Sequence, residues 1–128
     1  MSQKQHFDTD FALLCEKTVA DLTSISTDSE WFEELLGAYE AQTQSHMGAL
    51  SKAIHDGAKQ EGLDLVHTLK SSNLQIGALR MGEVFKYLEG LLESDNFSQA
   101  QQMFEHLPDL FQQTLRALRS VYIEGLKS

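Results

Sequence analysis

The chain has a single cysteine, Cys15, and therefore neither an internal disulfide framework nor a metal motif built on paired thiolates. Cys15 falls among apolar residues, reads as a small core filler and suits a reducing compartment. One proline and eight glycines are spread over 128 residues. So few breakers favour long helices, and no alternating run of Val and Ile argues for a strand. Nowhere do about 18 apolar residues run together, as a membrane-spanning helix requires. The opening MSQKQHFDTDF also lacks the apolar stretch of a signal peptide. These absences lead us to expect a cytoplasmic protein with no membrane partner.

Positive charge is scarce as well. Ten Lys and Arg stand against nineteen Asp and Glu, a net charge of -9, which disfavours nucleic acid and anionic lipid as partners. A G-x-x-x-x-G-K-[ST] loop and a Gly-rich kinase loop are both missing, so any phosphate chemistry must draw on another protein.

What is present is helical periodicity. With 41 % hydrophobic and 23 % charged residues, the chain has the composition of one soluble domain over 1–128, with 1–8 expected to be a flexible tail. Phe11, Leu14, Cys15, Thr18, Val19 and Leu22 recur at steps of three and four, predicting a short N-terminal helix. The Ser/Thr-rich stretch Thr23 to Asp28 reads as a loop. Asp28 or Ser29 can cap a long helix whose apolar positions, from Phe32 to Ile54, carry it to Asp56-Gly57.

A third helix is expected over Ala58 to Ile76, interrupted by Gly77, and a fourth follows with Leu79, Val84, Phe85, Leu88, Leu91 and Leu92. Ser94, Asp95 and Asn96 are turn residues, and Ala100, Met103, Phe104 and Leu107 suggest another helical segment. Pro108 either starts or kinks the last helix, whose stripe runs through Leu110, Phe111, Leu115, Leu118, Val121, Tyr122 and Leu126. There is no repeat at fixed period, so a solenoid is not expected. The pattern predicts an all-α fold, an antiparallel four-helix bundle with an additional N-terminal helix.

The stretch HTLKSSNLQIGA, His67 to Ala78, carries the chemistry. At roughly 100° per residue, Val66, Leu69, Asn73 and Ile76 gather on a core face while His67 and Ser71 point away from it. Lys70 lies three residues after His67, within side-chain reach. Leu63 and Leu74 flank the imidazole with apolar surface suited to docking a partner. A neutral imidazole is a nucleophile near neutral pH and can take a phosphoryl group on a ring nitrogen. Lys70 can attract the phosphoryl oxygens, and Ser71 is small enough to admit a partner's active site and can donate a hydrogen bond.

The run His67-Thr68-Leu69-Lys70-Ser71-Ser72 followed by Gly77-Ala78 resembles the histidine-containing phosphotransfer (HPt) domain of phosphorelays, whose pattern is approximately H-x-L-K-G-S-x-x-x-x-G-A. The resemblance implies a four-helix bundle and a phosphocarrier without its own ATP site. It makes His67 the phosphoacceptor, Lys70 the residue that stabilises phosphoryl charge, and Gly77 the place where neighbouring helices pack closely, with Ala78 completing the motif. It also implies a monomer whose partner is the receiver domain of a hybrid sensor kinase or response regulator. No cofactor belongs to the carrier itself, the divalent metal being held by the receiver. Ser71 departs from the family's glycine and is expected to slow transfer or narrow partner choice. Met1 and the full set of helices favour a free-standing protein over an excised domain.

Two other classes compete. A di-iron bundle needs Glu-x-x-His on two helices, whereas this chain offers only Asp64-x-x-His67 with the histidine outward, so no metal site is expected. A non-catalytic adaptor could bind a signalling partner through the His67 face, helped by Trp31, Phe32 and Tyr39, although such aromatic spacing more often marks core. His6, His46, His55 and His106 lack the lysine and Gly-Ala at the right distances and read as histidines without a role.

Overall fold

A computed structural model describes residues 12–125. The expected tail over 1–8, His6, Phe11 and Leu126 lie outside the described residues. Six helices follow in order: α1 (Glu16–Ile25), α2 (Ser29–Asp56), α3 (Lys59–Gln75), α4 (Leu79–Glu93), α5 (Phe97–Phe104) and α6 (Leu107–Arg119). The last runs on into a π-helical turn, Ser120–Glu124. No strand occurs among the described residues.

The boundaries follow local chemistry. The Asp28 side chain accepts the Glu30 N–H at 2.9 Å and starts α2. Gly57 ends it at φ +68°, with the Ala58 N–H returning to the Ala53 carbonyl at 2.9 Å, an end that suits a left-handed glycine. Asn96 caps α5, its side chain accepting from Gln99 N–H. Pro108 sits in the first turn of α6, where its missing donor costs nothing, so it begins a helix rather than kinking one.

Two boundaries depart from expectation. Helix α1 begins at Glu16, so Leu14 and Cys15 precede it, and Cys15 is extended and half-buried instead of a core filler. The stretch from Thr23 to Ile25 is helical and not loop, because Thr23 Oγ1 bonds back to the Val19 carbonyl at 2.9 Å and Ser24 Oγ to that of Asp21 at 2.6 Å. Hydroxyls satisfied within their own last turn do not compete with the helix.

The long helices α2, α3, α4 and α6 form the bundle. The helix pair α3 and α4 makes the most extensive contact, α2 packs on α3, and α6 closes the far side against α2 and α4. Helix α5 bridges α2 and α4, and α1 lies outside the bundle with no fully buried residue. One continuous core runs through Phe32, Leu36, Leu50, Val66, Leu69, Met81, Phe85, Leu88, Leu92, Leu107, Leu118 and Tyr122. The π-helical turn advances the register at the C-terminus so that Tyr122 and Ile123 are buried side by side, where the expected stripe had Val121 and Tyr122. Phe32 and Tyr39 are core residues, whereas Trp31 remains exposed.

The α3–α4 connection is the tight turn expected at Gly77. Gly77 adopts φ +93°, and the Ala78 N–H returns to the Asn73 carbonyl at 2.8 Å. A Cβ at Gly77 would stand 3.3 Å from both Tyr122 Oη and Val19 Cγ2, so the turn needs glycine for its dihedral and for its neighbours. Two more elements hold this turn from outside. Tyr122 Oη donates to the Ile76 carbonyl at 2.8 Å, and the Cys15 N–H donates to the Gly77 carbonyl at 2.8 Å.

Candidate functional site

Helix α3 divides into two faces. Val66, Leu69 and Asn73 are wholly buried and Ile76 nearly so, as the 3.6-residue period requires. Asn73 is the polar member of that face and its bonds are complete. Tyr39 Oη donates to Asn73 Oδ1 at 2.6 Å, and Asn73 Nδ2 donates to the Leu69 carbonyl at 2.8 Å. Burial pushes the Tyr39 phenol well above its usual range, and the Tyr122 phenol up to about 12, there with a smaller contribution from nearby Cys15. Both hydroxyls therefore stay protonated as donors, and they fix the rotation of α3 about its axis.

The opposite face carries His67, which is exposed in the middle of α3. Among the described residues no hydrogen bond or ion pair reaches its ring. Ser71, one turn on, is half-buried, as is Ser72, whose hydroxyl bonds back to the Leu69 carbonyl at 3.2 Å. Thr68 turns its hydroxyl to the Asp64 carbonyl. The imidazole is thus presented beside Thr68 and Ser72, whose hydroxyls are occupied along the helix's own backbone.

Lys70 is placed differently from a free surface lysine. Its Nζ bonds Glu89 Oε1 of α4 at 2.8 Å, with both side chains only 24 % exposed. Sequence reading missed Glu89, although the antiparallel pairing carries a signal for it. Leu74 faces Gly82, so moving four residues back along α3 and an equal rise forward along α4 brings Lys70 opposite Lys86, one turn from Glu89.

Gly82 is the second residue missed. A Cβ there would collide with Leu74 Cδ2 and stand 2.6 Å from its Cγ, so its bare backbone is the bed on which Leu74 lies. Leu74 remains 37 % exposed beside the histidine, while Leu63 is half-buried and packs against the core. Gly82 therefore lets Leu74 pack closely between α3 and α4, while Gly77 makes the turn and leaves room for Tyr122 and Val19. Ala78, wholly buried, follows it as the residue before α4.

On the side of α3 away from Lys70, an apolar groove of about 540 Å³ runs between α1, α2 and α3. Leu22, Ile25, Trp31 and Leu35 line it, with Ser72 and Gln75 at its α3 edge. The other described histidines lie elsewhere: His46 on α2, His55 beside Asp56 at 3.2 Å, and His106 before α6. Among the described residues no cluster of three or more His, Cys, Asp or Glu could hold a metal ion, and no helix is long and apolar enough to cross a membrane.

Comparison with known proteins matches this arrangement to one family. The model of the Hpt domain matches residues 34–120, which takes in most of α2 and all of α3 to α6. Searches of curated proteins and of solved structures each give no match. An exposed histidine on the second long helix of a bundle, with a match that covers more than half of the sequence, leads to one conclusion: the chain belongs to the Hpt family, the phosphocarriers of two-component signalling that work with receiver domains.

Proposed function

We propose that this protein is a phosphorelay intermediate in which His67 accepts a phosphoryl group from the phosphoaspartate of a receiver domain and passes it to a response regulator. The observation that carries the reading is an exposed His67 with Lys70 three residues on and Gly77-Ala78 closing the helix, all inside the Hpt match.

The chemistry follows from what the imidazole can do. The lone pair of its unprotonated ring nitrogen attacks phosphorus in line. The N–P bond forms as the P–O bond to the aspartyl group breaks, and that electron pair leaves as carboxylate. The proton on the other ring nitrogen is retained or passes to water. Lys70 supplies positive charge to the phosphoryl oxygens, and Ser71 leaves room for the incoming domain and can donate a hydrogen bond. The divalent metal and the acidic pocket belong to the receiver, and ATP is used elsewhere in the relay.

Docking uses the apolar surface on both flanks of the histidine. Leu74 and the exposed edge of Leu63 border it on α3. The groove lined by Leu22, Ile25 and Trp31 offers further apolar surface, with Ser72 and Gln75 of α3 at its rim. A receiver seated there covers His67 with an interface at the small end of the usual range, small enough to release after transfer. The carrier acts as a cytoplasmic monomer.

The test is transfer from a panel of phosphorylated receivers to wild type and to His67→Gln, read by intact mass. We expect a gain of one phosphoryl group in wild type and at least a hundredfold less in the variant, with equal thermal melting. Equal docking of a receiver by both proteins, with no phosphoryl gain in either, would instead favour a non-catalytic adaptor using the same face.

A further inference from the structure

We propose that Glu89 is a positioning residue that holds Lys70 back from His67 and thereby keeps the phosphohistidine high in energy and ready to leave. The inference rests on the phosphocarrier reading of His67 and deepens it.

Three observations support it. The Lys70 Nζ to Glu89 Oε1 contact is 2.8 Å, a charge-assisted hydrogen bond and not a loose surface pair. Both side chains are three-quarters covered, which limits screening by solvent. The partners also stand on the two helices that pack most extensively, α3 and α4, so the carboxylate is carried by the scaffold and not by a movable loop.

Lys70 lies one turn from His67 on the same helix and is the nearest cation in sequence, the next along α3 towards its start being Lys59. A phosphoryl group on His67 carries close to two negative charges near neutral pH and needs that ammonium. With Glu89 in place, the ammonium is shared between two anions. The phosphorylated state is stabilised less than the His67–Lys70 spacing alone allows. For a carrier this is useful, since a group held too well is not passed on.

The experiment loads the protein with phosphoramidate, so no receiver is involved. Phosphoramidate and imidazole exchange to phosphoimidazole and ammonia, and the loading constant is read by ³¹P NMR and intact mass, with His67→Gln as the blank for the other histidines. Glu89→Gln keeps the size and a hydrogen-bonding group while removing the charge. It should raise the loading constant of His67 about fivefold, and by less than twofold in a Lys70→Ala background.

An unchanged constant in folded Glu89→Gln would overturn the proposal, as would a fivefold rise that persists without Lys70. Failure of every receiver to phosphorylate a protein that loads normally from phosphoramidate would count against the relay role and leave the Glu89 result standing.

Discussion

Two faces of helix α3, less than half a turn apart, are built on opposite terms. The inner face places Asn73 where every polar atom is spoken for, by Tyr39 across the core and by the Leu69 carbonyl along the helix, and below it Tyr122 and Cys15 grip the turn at Ile76 and Gly77. The outer face leaves the His67 ring without a partner among the described residues. A buried polar group must be satisfied or it costs the fold, whereas a nucleophile that has to reach another protein must not be. The rigidity of the first face is what allows the second to be bare: the helix cannot rotate, so the imidazole needs no side-chain bond to aim its helix position outward.

The sharpest way to test this contrast is a substitution on the inner face. Asn73→Leu, similar in volume, removes the acceptor of the Tyr39 hydroxyl and should cost about 2–3 kcal/mol by denaturant unfolding. Adding Tyr39→Phe should restore part of that loss, because the orphaned hydroxyl goes with it. If the double variant is no better than the single, the bond is not what holds the face.

Next in size is the response to high pH. The Tyr122 phenol is raised by burial from about 10 to about 12, so the folded state favours its neutral form. Its contribution is fully present below pH 10 and is lost as pH rises through about 12. Thermal melting followed over that window should fall in wild type and fall less steeply in Tyr122→Phe. Parallel curves would place the alkaline loss elsewhere.

The smallest stability effect is expected on the outer face itself. His67→Gln should stay within about 0.5 kcal/mol of wild type, as exposed substitutions do. A loss as large as that of Asn73→Leu would break the comparison, since it would make the histidine part of the scaffold.

Much of this was legible beforehand. The bundle, the cap at Asp28, the stop at Gly57, the turn at Gly77 and the buried set Val66, Leu69, Asn73 and Ile76 all follow from periodicity and from residues with one preferred use. Where reading along the chain fell short, the deciding contact came from elsewhere or from the side chain's own backbone. Thr23 and Ser24 look like loop residues until their hydroxyls are seen bonding to their own helix. Val121 belongs to an uninterrupted α-helical stripe until a π-helical turn shifts the register, burying Ile123 and leaving Val121 half-buried against the core.

The sequence by itself determined that the chain folds into helices, where most of them begin and end, and that His67 stands on the outward face of α3 with Lys70 and Ser71 about a turn from it, because period and capping are local properties of the chain. Only the tertiary structure decided that Leu74 lies on the bare backbone of Gly82, that Trp31 and Ile25 flank an open groove, and that Lys70 is held by Glu89. Each of these joins residues on different helices. Their distance apart depends on how the helices slide and turn against one another, and it is packing of the whole core, not the spacing of residues in any one segment, that sets this.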